Sequence, residues 1–180
     1  MSATPGDELL RWQARRIAPT LPAPVRAVLR AFRVDLEKKV AANHDRIRAT
    51  TTDVVRTGGA RVNARWHREF LAHDPREDLR RLTVQVLALT GANDPQVDAA
   101  DLRTIAATVP CGATTVLVPD LMHTLRAQDG PPSMAAYRRE LRRPVNQDVL
   151  AAVVTWCRGS PGSPSDGEDV SLPALRPGRR

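Results

Sequence analysis

The chain has 180 residues, one domain's worth, with 42% hydrophobic and 26% charged residues, enough for a core and a solvated surface. Its six aromatic residues are too few for a protein that reads nucleic acid by base stacking, and two cysteines, Cys111 and Cys157, make neither a disulfide framework nor a zinc motif. The net charge of +7 arises wholly in residues 1–82, where 17 Lys+Arg face 10 Asp+Glu; residues 83–180 carry 10 of each.

Residues 1–20 are too polar for a secretory leader and no apolar run reaches membrane-span length, so a reducing, cytoplasmic setting is expected. Residues 7–17 read as an amphipathic helix, with Leu9, Trp12 and Ile17 among arginines. Val25, Val28, Leu29 and Phe32 follow helical spacing, and Leu36, Val40 and Ile47 share a face of a third helix. Val62, Trp66 and Phe70 recur every fourth residue and predict a fourth. Asp74 and Pro75 open a short helix as N-cap and first turn, with Glu77 in the reciprocal position. The first 80 residues are therefore expected to be helical, broken at Gly58-Gly59.

The pattern changes after Leu82. Residues 83–90, Thr-Val-Gln-Val-Leu-Ala-Leu-Thr, form a short, nearly continuous apolar run, the signature of a strand buried on both faces in a parallel sheet. Gly91 to Asp94 form a turn, and Asp98 can cap a helix with Leu102, Ile105, Ala106 and Val109 inward. Cys111-Gly112 breaks that helix, residues 114–118 read as a second strand, and Pro119-Asp120 ends it. Asn146 can cap a last helix with Val149, Leu150, Val153 and Cys157 inward. Strand, helix, strand, helix is the order of an α/β layer, whose strands a right-handed crossover would join. Residues 158–180 hold four prolines, four glycines and four serines and read as a disordered tail.

Chemistry concentrates in two loops. Asp94 lies four residues past the first strand and His123 lies just past the second. Functional groups of open α/β sheets gather at the carboxyl ends of strands, so parallel neighbours would bring the two residues to one edge. A carboxylate there can accept the imidazole N–H, fix its tautomer and stabilise the imidazolium, leaving the other ring nitrogen to act as a base.

With Gly91 and Asp94 in a G-x-x-D turn, then His123, then Trp156 near the end of the closing helix, residues 84–157 resemble the C-terminal part of an α/β-hydrolase of the serine esterase and peptidase type. The helical residues 1–82 resemble the cap that such enzymes insert before this strand. The resemblance implies an α/β fold with two parallel strands and helices at 83–157, a cap at 1–82 and the tail at 158–180. It implies hydrolysis of a small-molecule ester or amide through an acyl-serine, with Asp94 as the acid, His123 as the base, and neither cofactor nor metal.

The sequence departs from that pattern at the nucleophile. The fold orders its triad as serine, acid, histidine. The only serine before Asp94 is Ser2, no cysteine precedes Asp94, and Gly6, Gly58, Gly59 and Gly91 flank no serine. The chain therefore reads as a truncated hydrolase with acid and base but no nucleophile elbow. Two other readings stand beside it: one half of a split hydrolase completed by an N-terminal half, or a diverged, non-catalytic protein binding an acidic partner through its basic cap. The charge distribution argues against nucleic acid as that partner, and nothing calls for a membrane.

Other residues have plainer readings. Asp98 suits an N-cap, and Asp120 precedes His123 in its own loop. His44, His67 and His73 match no metal-ligand spacing and read as solvated helix faces. Arg126 reads as a surface arginine that could meet an acidic group, and Trp12, Trp66 and Phe70 read as core of the cap.

Overall fold

The structure, a computed structural model, describes residues 2–57 and 59–159. The tail expected over 158–180 lies outside them, except for Arg158 and Gly159, which end the last helix. The chain forms two compact units: residues up to Leu82 with Thr108–Pro110, and Thr83–Ala107 with the chain from Cys111. Among the described residues no helix is long and apolar enough to cross a membrane.

The first unit contains α1 (Gly6–Ile17), α2 (Ala23–Ala31), α3 (Leu36–Arg48), a hairpin of β1 (Val54–Thr57) and β2 (Ala60–Asn63), α4 (Ala64–Ala72) and α5 (Pro75–Arg80). Side-chain caps start three of these helices. Asp35 accepts from the Lys38 N–H, Asn63 from Trp66 and Asp74 from Arg76, each satisfying an amide that the first turn leaves unpaired. Ile47, Ala64, Leu71 and Leu79 are buried within the unit. Gly6 has no alternative residue: a Cβ there would lie 2.6 Å from Phe70.

The hairpin corrects the all-helical expectation. Val62 lies in β2 opposite Val55, and Asn63 starts α4 one residue later. The four-residue recurrence of Val62, Trp66 and Phe70 thus spans a strand and a helix. Trp66 and Phe70 do stack, with ring centroids 5.1 Å apart, but Trp66 is half exposed rather than core. The apolar face of α2 is also turned outward, with Val25, Val28 and Phe32 all exposed.

The second unit contains β3 (Val86–Gly91), α6 (Asp101–Thr108) but for its last residue, β4 (Ala113–Val118), α7 (Tyr137–Glu140) and α8 (Gln147–Gly159). It is a mixed α/β arrangement. β3 and β4 pair in parallel, in register from Val86 opposite Ala113 to Gly91 opposite Val118. The strand begins later than the apolar run because Val84 is exposed outside it. Val116, Val118, Leu121 and Val149 form the core, with Leu87 and Leu89 packed against it. β4 alternates, its Leu117 facing solvent, so only one face of that strand is covered.

Asn146 caps α8 as expected, accepting from the Asp148 and Val149 N–H groups. The inward face of α8 differs from expectation. Val149 and Ala152 are buried, whereas Leu150, Val153 and Cys157 are exposed. That buried stripe is one i, i+3 pair wide, narrower than the composition of the helix suggests.

Candidate active site

The parallel pairing ends β3 and β4 at the same edge of the second unit, and Asp94 and His123 leave from there. The two following loops are stitched together by backbone. The Ala92 N–H donates to the Val118 carbonyl at 2.9 Å and the Asn93 N–H to the Leu121 carbonyl at 3.2 Å. The approach is so close that a Cβ on Gly91 would lie 1.9 Å from the Leu121 oxygen. Glycine stands at the end of β3 because a neighbouring backbone occupies the space of any side chain.

Asp94 is buried, and both of its oxygens are engaged. Oδ1 accepts from the Gln96 N–H at 2.7 Å and the Val97 N–H at 3.2 Å, which locks the carboxylate onto its own turn. Oδ2 faces Nδ1 of His123 at 2.9 Å. An ionised carboxylate only accepts, so Nδ1 carries the proton that it donates. In the neutral ring the lone pair is then on Nε2, which has no hydrogen-bond partner among the described residues. The side chains differ in environment: 6% of Asp94 is exposed against 46% of His123. The acid is held inside and the imidazole opens outward.

The His123 loop is fixed from both sides. Leu121 and Met122 are completely buried just before it. A Leu121–Ala127 bridge and a Met122 N–H to Arg126 carbonyl bond of 2.9 Å fold the segment back on itself. The tight return holds Leu125 at φ 59°, a left-handed conformation that stores about 1–2 kcal/mol in a residue with a Cβ. Beside His123, the Thr124 hydroxyl donates to Oε2 of buried Glu140 at 3.0 Å. Arg126, read as a surface arginine, instead donates to the Thr124 and Arg143 carbonyls and braces the loop.

The Asp94 loop has a similar brace. Gln96 donates through Nε2 to the Tyr137 hydroxyl at 3.0 Å. Burial pushes the Tyr137 phenol up; the Gln96 bond opposes that rise, and the negative charges of Asp94 and Glu140 reinforce it. Neither brace has a local sequence signal: Thr124 to Glu140 and Gln96 to Tyr137 span loops whose path only the tertiary structure sets. Asp98 accepts from the Ala100 N–H, and Asp120 is exposed in a left-handed turn at φ 55°, so neither displaces Asp94 as partner of His123.

Of the other histidines, His44 departs from expectation. His44 is not solvated: it is buried, and its Nδ1 meets Oδ1 of Asp7 at 2.5 Å. Partial burial raises the Asp7 carboxyl, but the His44 hydrogen bond and then the charges of Arg48, His44 and Arg11 outweigh it and leave the group below its ordinary value. His67 meets the Asn63 carbonyl through Nδ1, and exposed His73 pairs with Asp78. Among the described residues no cluster of histidine, cysteine and carboxylate side chains could hold a metal.

Fold and site together define a mixed α/β protein with a buried aspartate and an outward-facing histidine beyond two parallel strands. No protein-family model, no curated protein and no solved structure matches the chain.

Proposed function

We propose that the second unit is the acid–base part of a serine-hydrolase relay of the α/β-hydrolase kind, acting on a small-molecule ester or amide. The observation that carries this reading is the 2.9 Å contact between a buried, doubly anchored carboxylate and a half-exposed imidazole, on loops that follow neighbouring parallel strands. In the forward step Nε2 of His123 takes the proton of a hydroxyl nucleophile as it attacks the carbonyl carbon. Asp94 holds the tautomer and stabilises the imidazolium. The imidazolium then returns the proton to the departing alcohol or amine, and the same nitrogen activates water to release the acyl group.

The nucleophile is proposed to lie outside the Asp94–His123 unit. The sequence has no serine between Ser2 and Ser133 and no Gly-x-Ser-x-Gly turn. Both cysteines are exposed and unbridged, which fits a reducing, cytoplasmic setting.

The test is fluorophosphonate labelling and p-nitrophenyl ester turnover, first on the chain alone and then together with the polypeptide encoded immediately upstream of Met1. The chain alone stays at the background set by its His123→Ala variant, because attack and oxyanion stabilisation are both missing. The completed protein labels on serine and loses activity by on the order of 10³–10⁴-fold in Asp94→Asn. Stoichiometric labelling of the chain alone overturns the reading, as does completed activity that is indifferent to His123→Ala.

A further inference from the structure

The first unit has a groove of its own, independent of Asp94 and His123. It measures about 750 Å³, within the range of small-molecule sites, and runs along α1 and α3 to the end of β1. Leu10, Ile17, Leu36 and Val40 give it an apolar floor. The ionisable groups that line it are Lys39, Arg46, His44 and His67; no aspartate or glutamate does.

The two cations of this lining are open to an anion. Arg46 is spent on neutral partners only, Oδ1 of Asn43 at 2.7 Å and the Thr57 hydroxyl, and neither Arg46 nor Lys39 has an ion-pair partner among the described residues. His44 lines the groove with a side chain only 4% exposed. Its Nδ1 is tied to Asp7, and its Nε2 has no hydrogen-bond partner among the described residues. His67 has its Nδ1 engaged by the Asn63 carbonyl, which likewise leaves Nε2 open. The groove therefore combines an apolar trough with two cations that no carboxylate of the described residues pairs.

We propose that this groove binds a monocarboxylate with an alkyl tail, the tail on the α1–α3 floor and the carboxylate between Arg46 and Lys39. A carboxylate supplies the negative charge that the lining lacks, and it can accept from a guanidinium in a bidentate manner. An alkyl chain fills the trough and releases water from it.

The test is calorimetric titration of the full chain with dodecanoate below its micelle concentration, against dodecyltrimethylammonium as a cation of equal tail length. Dodecanoate binds at one site and at least about tenfold tighter than the cation. Arg46→Gln weakens it by about tenfold or more, the loss of one charged hydrogen bond. Ala42→Trp, an exposed position on the groove wall, obstructs it. The His44 ring resonances move on binding and those of His123 stay. The proposal fails if dodecanoate shows no saturable binding, if the cation binds equally well, or if both variants, folded by circular dichroism, bind as the parent does. Movement of His123 in place of His44 would put the ligand in the other unit and also overturn it.

Discussion

Replacing Gly91 with alanine adds one methyl group and should dismantle the Asp94–His123 site. The new Cβ would stand 1.9 Å from the Leu121 carbonyl oxygen and 2.6 Å from its carbon, whereas ordinary contact begins at 3.4 Å. One backbone must therefore retreat by about 1.5 Å from the other. Overpacking against side chains costs about 1–3 kcal/mol, because rotamers can give. Here the obstacle is main chain, held by the Asn93 N–H to Leu121 carbonyl bond of 3.2 Å and by a Leu121 side chain with no exposure. The expected loss is therefore more than about 3 kcal/mol. The same retreat separates His123, two residues beyond Leu121, from Asp94 and breaks a bond that now measures 2.9 Å. Gly112→Ala is the control. Its Cβ meets nothing within 4 Å, so only the left-handed conformation at φ 80° resists it, at about 1–2 kcal/mol. Urea unfolding of both variants gives the stabilities, and His123 ring chemical shifts report the site. A Gly91→Ala protein within about 1 kcal/mol of the parent, with unchanged His123 shifts, would refute the close-approach argument.

Two further expectations concern pH. Asp7 has a lowered carboxyl in the folded first unit, so its contribution is present above the unfolded value near about 3.9 and disappears as pH falls through the lower folded value. Acid unfolding of Asp7→Asn followed by circular dichroism should be flatter than the parent's below about pH 4, and an identical acid limb would contradict the His44–Asp7 pairing. Tyr137 is the chain's single tyrosine, so its phenol can be titrated alone by absorbance. The midpoint should exceed the ordinary value of 10, with the associated stability present below that value and lost as pH rises through the midpoint. A midpoint at 10 or below would mean that the phenol is not buried against Gln96.

How much of this was legible in the sequence follows from the range of each signal. The parallel pair was legible because an uninterrupted Val-Leu-Ala-Leu run, a helix and Thr-Thr-Val-Leu-Val are local patterns. The Asp94–His123 contact was legible only through that layout, because strand order brings residues 29 apart to one edge. The hairpin has a local signal in Val54, Val55 and the Gly-Gly pair of the sequence, but the helical spacing of Val62 with Trp66, which spans a strand and a helix, competes with it. The His44–Asp7 pair had no readable signal. The residues lie 37 apart, on helices whose packing no local pattern encodes. The same holds for the braces behind the site: nothing local in Tyr-Arg-Arg-Glu signals that Glu140 is 1% exposed and holds Thr124.

The account rests on an imidazole whose Nδ1 proton is held by Asp94 and whose Nε2 is free to accept one. A long-range proton–nitrogen spectrum of the chain with its histidines labelled, recorded where His123 is neutral, reads that directly. The account predicts a protonated Nδ1 and a bare, pyridine-like Nε2 for His123. In Asp94→Asn, where the amide can present its own N–H groups to Nδ1, that preference should be lost. A parent spectrum with the proton on Nε2, or one that Asp94→Asn leaves unchanged, would contradict the claim that this histidine is positioned as a base.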